Sequence, residues 1–161
     1  MDTARQSICI TGYWLMKCEP SVYSISDLEA DTTTSWEGVR NYQARNFMRD
    51  HMHVNDPVIF YHSNAKPPGA AGLARVCKRA YPDHFSWDAN HQYFDPKSSP
   101  ENPRWCMVDV VFEKKFKTVV PIHTLRAHPE LQNLMILQTG SRLSITPITV
   151  HEYTVIQQLG Q

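Results

Sequence analysis

The chain reads as an α+β fold: a small, mostly antiparallel β-barrel decorated by short helices. Three observations lead there. Strand and helix signals are mixed irregularly, without the steady βαβ alternation of a doubly wound parallel sheet. Cys106, Val108, Val110 and Phe112 interleave with Trp105, Met107, Asp109 and Val111, the two-residue period of a strand. The 161 residues, 42% of them hydrophobic, suffice for one domain with a real core; a chain of this size buries about 70% of its unfolded surface. Residues 1–12 read as a short N-terminal tail and residues 13–161 as a single domain.

Each element has a local reason. Tyr13-Trp14-Leu15-Met16-Lys17-Cys18 is a strand closed by Glu19-Pro20. Ser24 with Asp27 three residues on is a capping-box start for a helix to about Ala30. A polar stretch, Asp31 to Ser35, leads to Trp36. Asn41 caps a helix from Tyr42 to about His51, on which Ala44, Phe47, Met48 and Met52 make one apolar stripe. Asp56-Pro57 opens a strand from Val58 to Ser63. Pro67-Pro68-Gly69 is a tight connection to an Ala- and Gly-rich strand, Ala70 to Lys78. Small residues there let a neighbouring element approach closely.

From Tyr81 to Pro103 the chain is polar and carries Pro82, Pro96, Pro100 and Pro103. A loop of this length inside a compact domain is often functional. The Trp105–Phe112 strand follows, with Lys114, Lys115 and Lys117 marking its solvated end. Pro121 starts a helix to about Arg126, Leu131 to Leu137 is a helical or irregular apolar patch, and Ser141 to Pro147 is a loop or short edge strand. Thr149 and Glu152 form a capping box for a last helix to about Leu159.

Composition limits the function. Sixteen basic residues balance sixteen acidic ones, so long tracking of a phosphate backbone by many cations is not expected. Nucleic-acid binding would rest on a pocket or a local patch. Cys9, Cys18, Cys77 and Cys106 form no C-x-x-C pair and scatter like free thiols of a reducing compartment. No apolar run approaches the roughly 18 residues of a membrane span, and Met1 to Gly12 lack the pattern of a signal peptide. A cytoplasmic location is expected. No metal site, cofactor or catalytic set is expected either: His51 and His53 do not share a helix face, and no nucleophile elbow or phosphate-binding Gly-rich loop is present.

The run Trp36-Glu37-Gly38-Val39-Arg40-Asn41 has two readings. In one, Trp36 stacks on a flat polar ring, Asn41 meets its edge with a donor and an acceptor, and Arg40, Arg45 or Arg49 meets a phosphate. In the other, Trp36 is core, Asn41 only caps a helix, and the arginines face water. Ser63-Asn64-Ala65-Lys66 and Arg142-Leu143-Ser144 are two further polar clusters that could complete a pocket.

Larger motifs weigh in here. Tyr-Trp-Leu-Met-Lys-x-Glu-Pro at 13–20, Trp-x-Gly-Val-Arg-Asn-Tyr-Gln-Ala-Arg-Asn at 36–46, Phe-Tyr-His-Ser-Asn at 60–64, Tyr-Phe-Asp-Pro-Lys-Ser at 93–98 and Arg-Leu-Ser-Ile-x-Pro at 142–147 resemble the EVE domain family in order and spacing. The resemblance covers about residues 13–158. Cys18 departs from it, standing where the family commonly has Ser. The resemblance implies a PUA-like barrel, similar to the YTH and SRA readers of modified bases. It implies a pocket at Lys17, Trp36, Val39, Arg40, Asn41, Ser63 and Ser144, with Arg45, Arg49, Lys66 and Arg142 as candidate phosphate contacts.

The function expected on this basis is a non-catalytic, monomeric module that binds DNA or RNA carrying a modified base, such as a modified cytosine. An enzyme acting on modified nucleosides in the same pocket is the alternative, with Cys18, Glu19 and His62 as first suspects. A small-molecule or protein-interaction module, using the loop 81–103, is a third.

Overall fold

The computed structural model describes residues 12–138 and 142–161. The tail expected at 1–12, with Cys9, therefore lies almost wholly outside the described residues, as does Ser141. The chain runs β1 (Tyr13–Cys18), α1 (Ile25–Asp31), β2 (Thr33–Ser35), α2 (Tyr42–Asp50), β3 (Pro57–His62), β4 (Gly69–Pro82), β5 (Cys106–Pro121), α3 (Ile122–Ala127), β6 (Ile145–Ile148) and α4 (Val150–Leu159). Short 3₁₀ turns occupy His84–Trp87, Pro129–Leu131 and Met135–Leu137.

The caps read from the sequence are in place. The Ser24 hydroxyl accepts from the Asp27 N–H at 3.1 Å and the Asp27 carboxylate accepts from the Ser24 N–H at 2.8 Å. Thr149 and Glu152 exchange the same two bonds at the start of α4. Asn41 Oδ1 accepts from the Ala44 N–H at 3.0 Å and starts α2. Each such cap stabilises its helix by about 1 kcal/mol.

The six strands form one sheet in the order β2-β5-β4-β3-β1-β6. β1 pairs with β3 in parallel and the other pairings are antiparallel. The expected barrel is thus corrected to an open, mixed sheet: the terminal strands β2 and β6, three and four residues long, do not pair with each other. Two more expectations change. β4 and β5 run to 14 and 16 residues, so Lys114, Lys115 and Lys117 lie within a strand rather than past its end. Thr33–Ser35, read as a polar linker, is the edge strand β2.

The long β4–β5 hairpin shifts register at several points. Such irregularities increase local twist and coil the sheet. Gly72 shows how close the two backbones come, because a Cβ there would lie 2.4 Å from the Lys114 carbonyl oxygen.

Both faces of the sheet are covered. All six residues of β3 are buried, as expected of a strand between two layers. Alternation sends Trp14, Met16, Val58 and Phe60 to one face, where Ile25 and Leu28 of α1 and Ala44 and Met48 of α2 pack. It sends Leu15, Ile59 and Tyr61 to the other, under Leu125, Leu131, Leu134, Tyr153 and Ile156. Fully burying each such side chain contributes about 1.5–3 kcal/mol. The apolar stripe of α2 is seated on the first face, with Met52 just beyond it. No helix among the described residues is long and apolar enough to cross a membrane.

Candidate nucleic-acid interface

A cavity of about 620 Å³ opens at one end of the first face, where β1 and β3 finish. Lys17, Trp36, Val39, Arg40, Asn41, Ser63 and Ser144 all line it. The volume lies in the range of about 300–1,000 Å³ usual for small-ligand sites.

Strands supply one wall. Lys17 sits on β1, and its backbone N–H donates to the Ser144 carbonyl at 2.8 Å. The Ser63 N–H donates to the Cys18 carbonyl at 3.0 Å. These bonds prolong the sheet ladder past the ends of β1 and β3, and so fix three polar side chains on backbone. Burial lowers the Lys17 pKa below its ordinary value. No acidic partner pairs with it among the described residues.

Loops supply the other wall. The Trp36 N–H donates to the Val108 carbonyl at 2.7 Å, and its ring meets Phe60 edge-on at 5.5 Å. Trp36 is 7% exposed and belongs to the core as well as to the cavity. An aromatic side chain offers about 150–250 Å², so roughly 10–20 Å² of it remains open. Trp36 is therefore a floor patch and not a full stacking plate. Val39, also buried, lies beside it. Asn41 Oδ1 is committed to the helix cap, which leaves its amide N–H₂ to the cavity.

Arg40 turns inward. Its guanidinium donates to the Tyr93 carbonyl at 3.1 and 2.6 Å, to the Val39 carbonyl at 2.9 Å and to the Asp83 carboxylate at 3.0 Å. Asp83 is fully buried and also accepts from the Gly38 N–H and the Phe85 N–H, each at 3.0 Å. Arg40 thus ties the segment 83–105 down as a strap over the cavity edge. Gly38 is required beneath that strap: its φ is +84°, and a Cβ would lie 2.6 Å from the Tyr93 ring.

The strap brings residues that spacing did not single out. Gln92 and Tyr93 line the cavity, and burial raises the Tyr93 pKa. Glu37 also lines it, its carboxylate held by the Ser35 hydroxyl at 3.0 Å and by His91 Nε2 at 3.3 Å. The signal available in the sequence was the length of the polar loop. Tyr23, on the opposite rim, has its pKa pushed up to about 12 by burial.

The candidate phosphate contacts divide. Arg142 is exposed and lines the cavity. Arg45 lies on α2 over the Tyr42 ring at 4.6 Å and donates to the Arg104 carbonyl. Tyr42 itself stacks on Trp105 at 4.8 Å. Arg49 is exposed and paired with Asp50 at 2.9 Å. Lys66 is exposed on the β3–β4 turn and does not line the cavity.

The suspects for an enzyme are brought near one another but not poised. Cys18 and His62 are register partners on β1 and β3. His62 Nε2 accepts from the Ile25 N–H at 3.1 Å, which occupies it as a helix cap. Burial pushes the Cys18 thiol up to about 11, so it stays protonated at neutral pH. Among the described residues, no three His, Cys, Asp or Glu side chains gather where they could hold a metal ion.

Comparison with known proteins finds relatives of the same fold. A family model described as the EVE domain matches residues 12–159. Human thymocyte nuclear protein 1 is 42% identical over 171 residues, covering 94% of this chain and 75% of the human protein. A hypothetical protein from Leishmania major superimposes with a TM-score of 0.90 at 47% identity, over 94% of this chain and 95% of that one. A structure of the human THYN1 protein in complex with 5-methylcytosine containing DNA superimposes with a TM-score of 0.85 at 41% identity, over 93% and 98%.

Proposed function

Since the chain belongs to the EVE domain family, we propose that it binds DNA carrying a modified cytosine and holds that base, turned out of the helix, in the cavity. The observation that carries the reading is that one cavity gathers Lys17, Trp36, Val39, Asn41, Ser63 and Ser144 from separate segments. The 5-methylcytosine containing DNA bound by the human relative supports the choice of ligand.

The chemistry follows from the two walls. A base inside a duplex cannot reach a concave site, so it must be extruded at a cost of a few kcal/mol. Ring burial against Trp36 and Tyr93 offsets part of that cost. The strand wall supplies donors, Lys17 Nζ and the hydroxyls of Ser63 and Ser144, suited to the ring nitrogen and carbonyl of cytosine. Val39 gives an apolar contact of the kind that recognises a pyrimidine methyl group. Arg142 at the rim is the cation placed to meet a flanking phosphate, since Arg45 and Arg49 are engaged with neighbouring groups of the chain. The balanced net charge implies few such contacts and a shallow salt dependence.

The test is a titration of duplexes that differ at one position, carrying cytosine, 5-methylcytosine or 5-hydroxymethylcytosine, beside RNA carrying 5-methylcytidine. A pocket that senses one small substituent discriminates by about 1–3 kcal/mol, about 5- to 150-fold in affinity. Equal affinity for modified and unmodified DNA overturns the reading. Preference for the modified RNA over the modified DNA moves it to RNA.

A further inference from the structure

We infer that Glu37 is the residue that selects cytosine over thymine in this cavity, by accepting a hydrogen bond from the exocyclic amino group of the base. The inference rests on the modified-cytosine reading above and adds the group that reads the base edge.

The two bases differ where Glu37 is equipped to tell them apart. 5-Methylcytosine and thymine share the ring, the methyl group and one carbonyl. Cytosine carries an amino donor where thymine carries a carbonyl oxygen. An ionised carboxylate offers acceptors only, about four lone-pair sites on two oxygens. It therefore attracts the amino group and repels the carbonyl.

The carboxylate is built into the wall. Glu37 lies between Trp36 and Gly38 along the cavity and its side chain is 29% exposed. One oxygen accepts from the Ser35 hydroxyl at 3.0 Å. The other faces His91 Nε2 at 3.3 Å. His91 Nδ1 accepts from the Tyr93 N–H at 3.1 Å, so in the neutral ring the proton sits on Nε2, the nitrogen on the Glu37 side. The imidazole is stacked on Phe85 at 4.6 Å, which fixes its plane. Glu37 Oε1 thus spends one acceptor site on Ser35, Oε2 lies beside the His91 ring, and both oxygens keep acceptor capacity. No Lys or Arg pairs with Glu37 among the described residues. The other cavity carboxylate, Glu19, is exposed, and its Oε1 accepts from the Asn64 amide at 3.3 Å. Glu37 is the held acceptor, and His91 and Ser35 are positioning residues.

The experiment compares three duplexes of one sequence, with 5-methylcytosine, cytosine or thymine opposite the same abasic site, so that extrusion costs none of them a base pair. Each is titrated into the wild-type chain, Glu37→Gln and His91→Phe, and the quantity read is the ratio of affinities for 5-methylcytosine and thymine. The wild type is expected to show a ratio of about 5- to 150-fold, the usual range for one good edge contact. Glu37→Gln, whose amide can offer a donor to the thymine carbonyl, is expected to bring the ratio close to 1 while 5-methylcytosine still outcompetes cytosine. His91→Phe keeps the stack on Phe85, loses the Nε2 donor and is expected to fall between. It also removes the Nδ1 acceptor of the Tyr93 N–H, which affects all three bases alike and leaves the ratio to report on Glu37, so it carries the test if Glu37→Gln does not fold. An unchanged ratio in both variants, or no discrimination against thymine by the wild type, overturns the role of Glu37. A wild type that binds 5-methylcytosine no better than cytosine instead overturns the modified-base reading itself.

Discussion

The two walls of the cavity are held by different forces. Lys17, Ser63 and Ser144 ride on backbone hydrogen bonds that extend the sheet. Trp36 to Asn41 and the strap that carries Tyr93 are held largely by side chains, above all the Arg40–Asp83 pair. A ladder is redundant, so losing one side chain from it leaves its neighbours in place. A buried charge pair is not redundant. The difference teaches that substitutions on the strand wall should separate binding from stability, whereas those on the loop wall should change both.

The largest expected effect is at Asp83. Its carboxylate is buried and Arg40 is 23% exposed, so Asp83→Ala strands a largely desolvated guanidinium and two backbone donors. Breaking such a pair costs about 3–5 kcal/mol, which for a chain of this size lowers the melting temperature by about 10 °C. Calorimetry reads the loss, and hydrogen exchange is expected to quicken at residues 91–95. If the strap amides stay protected, the loop wall does not depend on the pair and the contrast between the walls fails.

A smaller effect tests whether the strand side has a weak point of its own. His62, at the end of β3, accepts from the Ile25 N–H while neutral, and burial lowers its pKa below 6.5. The unfolded chain therefore takes up a proton before the folded one does. Stability is complete above about 6.5 and falls as the pH drops from there through the folded-state pKa. Melting temperatures of the wild type and His62→Gln at pH 7.5 and 5.5 check this, the variant being expected to lose less on acidification. An equal loss in both would place the acid sensitivity elsewhere.

The smallest effect on the fold is expected at Ser63. Ser63→Ala should leave stability within about 0.5 kcal/mol and weaken binding of the modified duplex by about 1 kcal/mol, the net value of one neutral hydrogen bond. Calorimetry and titration on the same preparation separate the two. A change in stability without a change in affinity would make Ser63 a structural residue.

Local features were legible in the sequence and long-range ones were not. The caps at Ser24, Asn41 and Thr149 and the stripe Ala44, Met48 and Met52 follow from spacing, because each depends on residues three or four apart. β2 was not legible, since three polar residues carry no period and pair only because β5 lies alongside. The true length of β4 and β5 was hidden by Arg79 and the lysines at 114–117, which a hairpin with shifting register carries on its exposed side. The Trp36–Asn41 segment could be marked from its residues, but the inward turn of Arg40 depends on Asp83, 43 positions away. Glu37 was not singled out either, because His91, which it faces, lies far along the chain in the strap.

The open sheet has a consequence for how these molecules behave at high concentration. An unpaired strand is a template on which a second chain can grow. Here both terminal strands are short, and the four-residue β6 includes Pro147, which has no N–H to offer. Each terminal strand thus offers an incoming strand only a short ladder of its own.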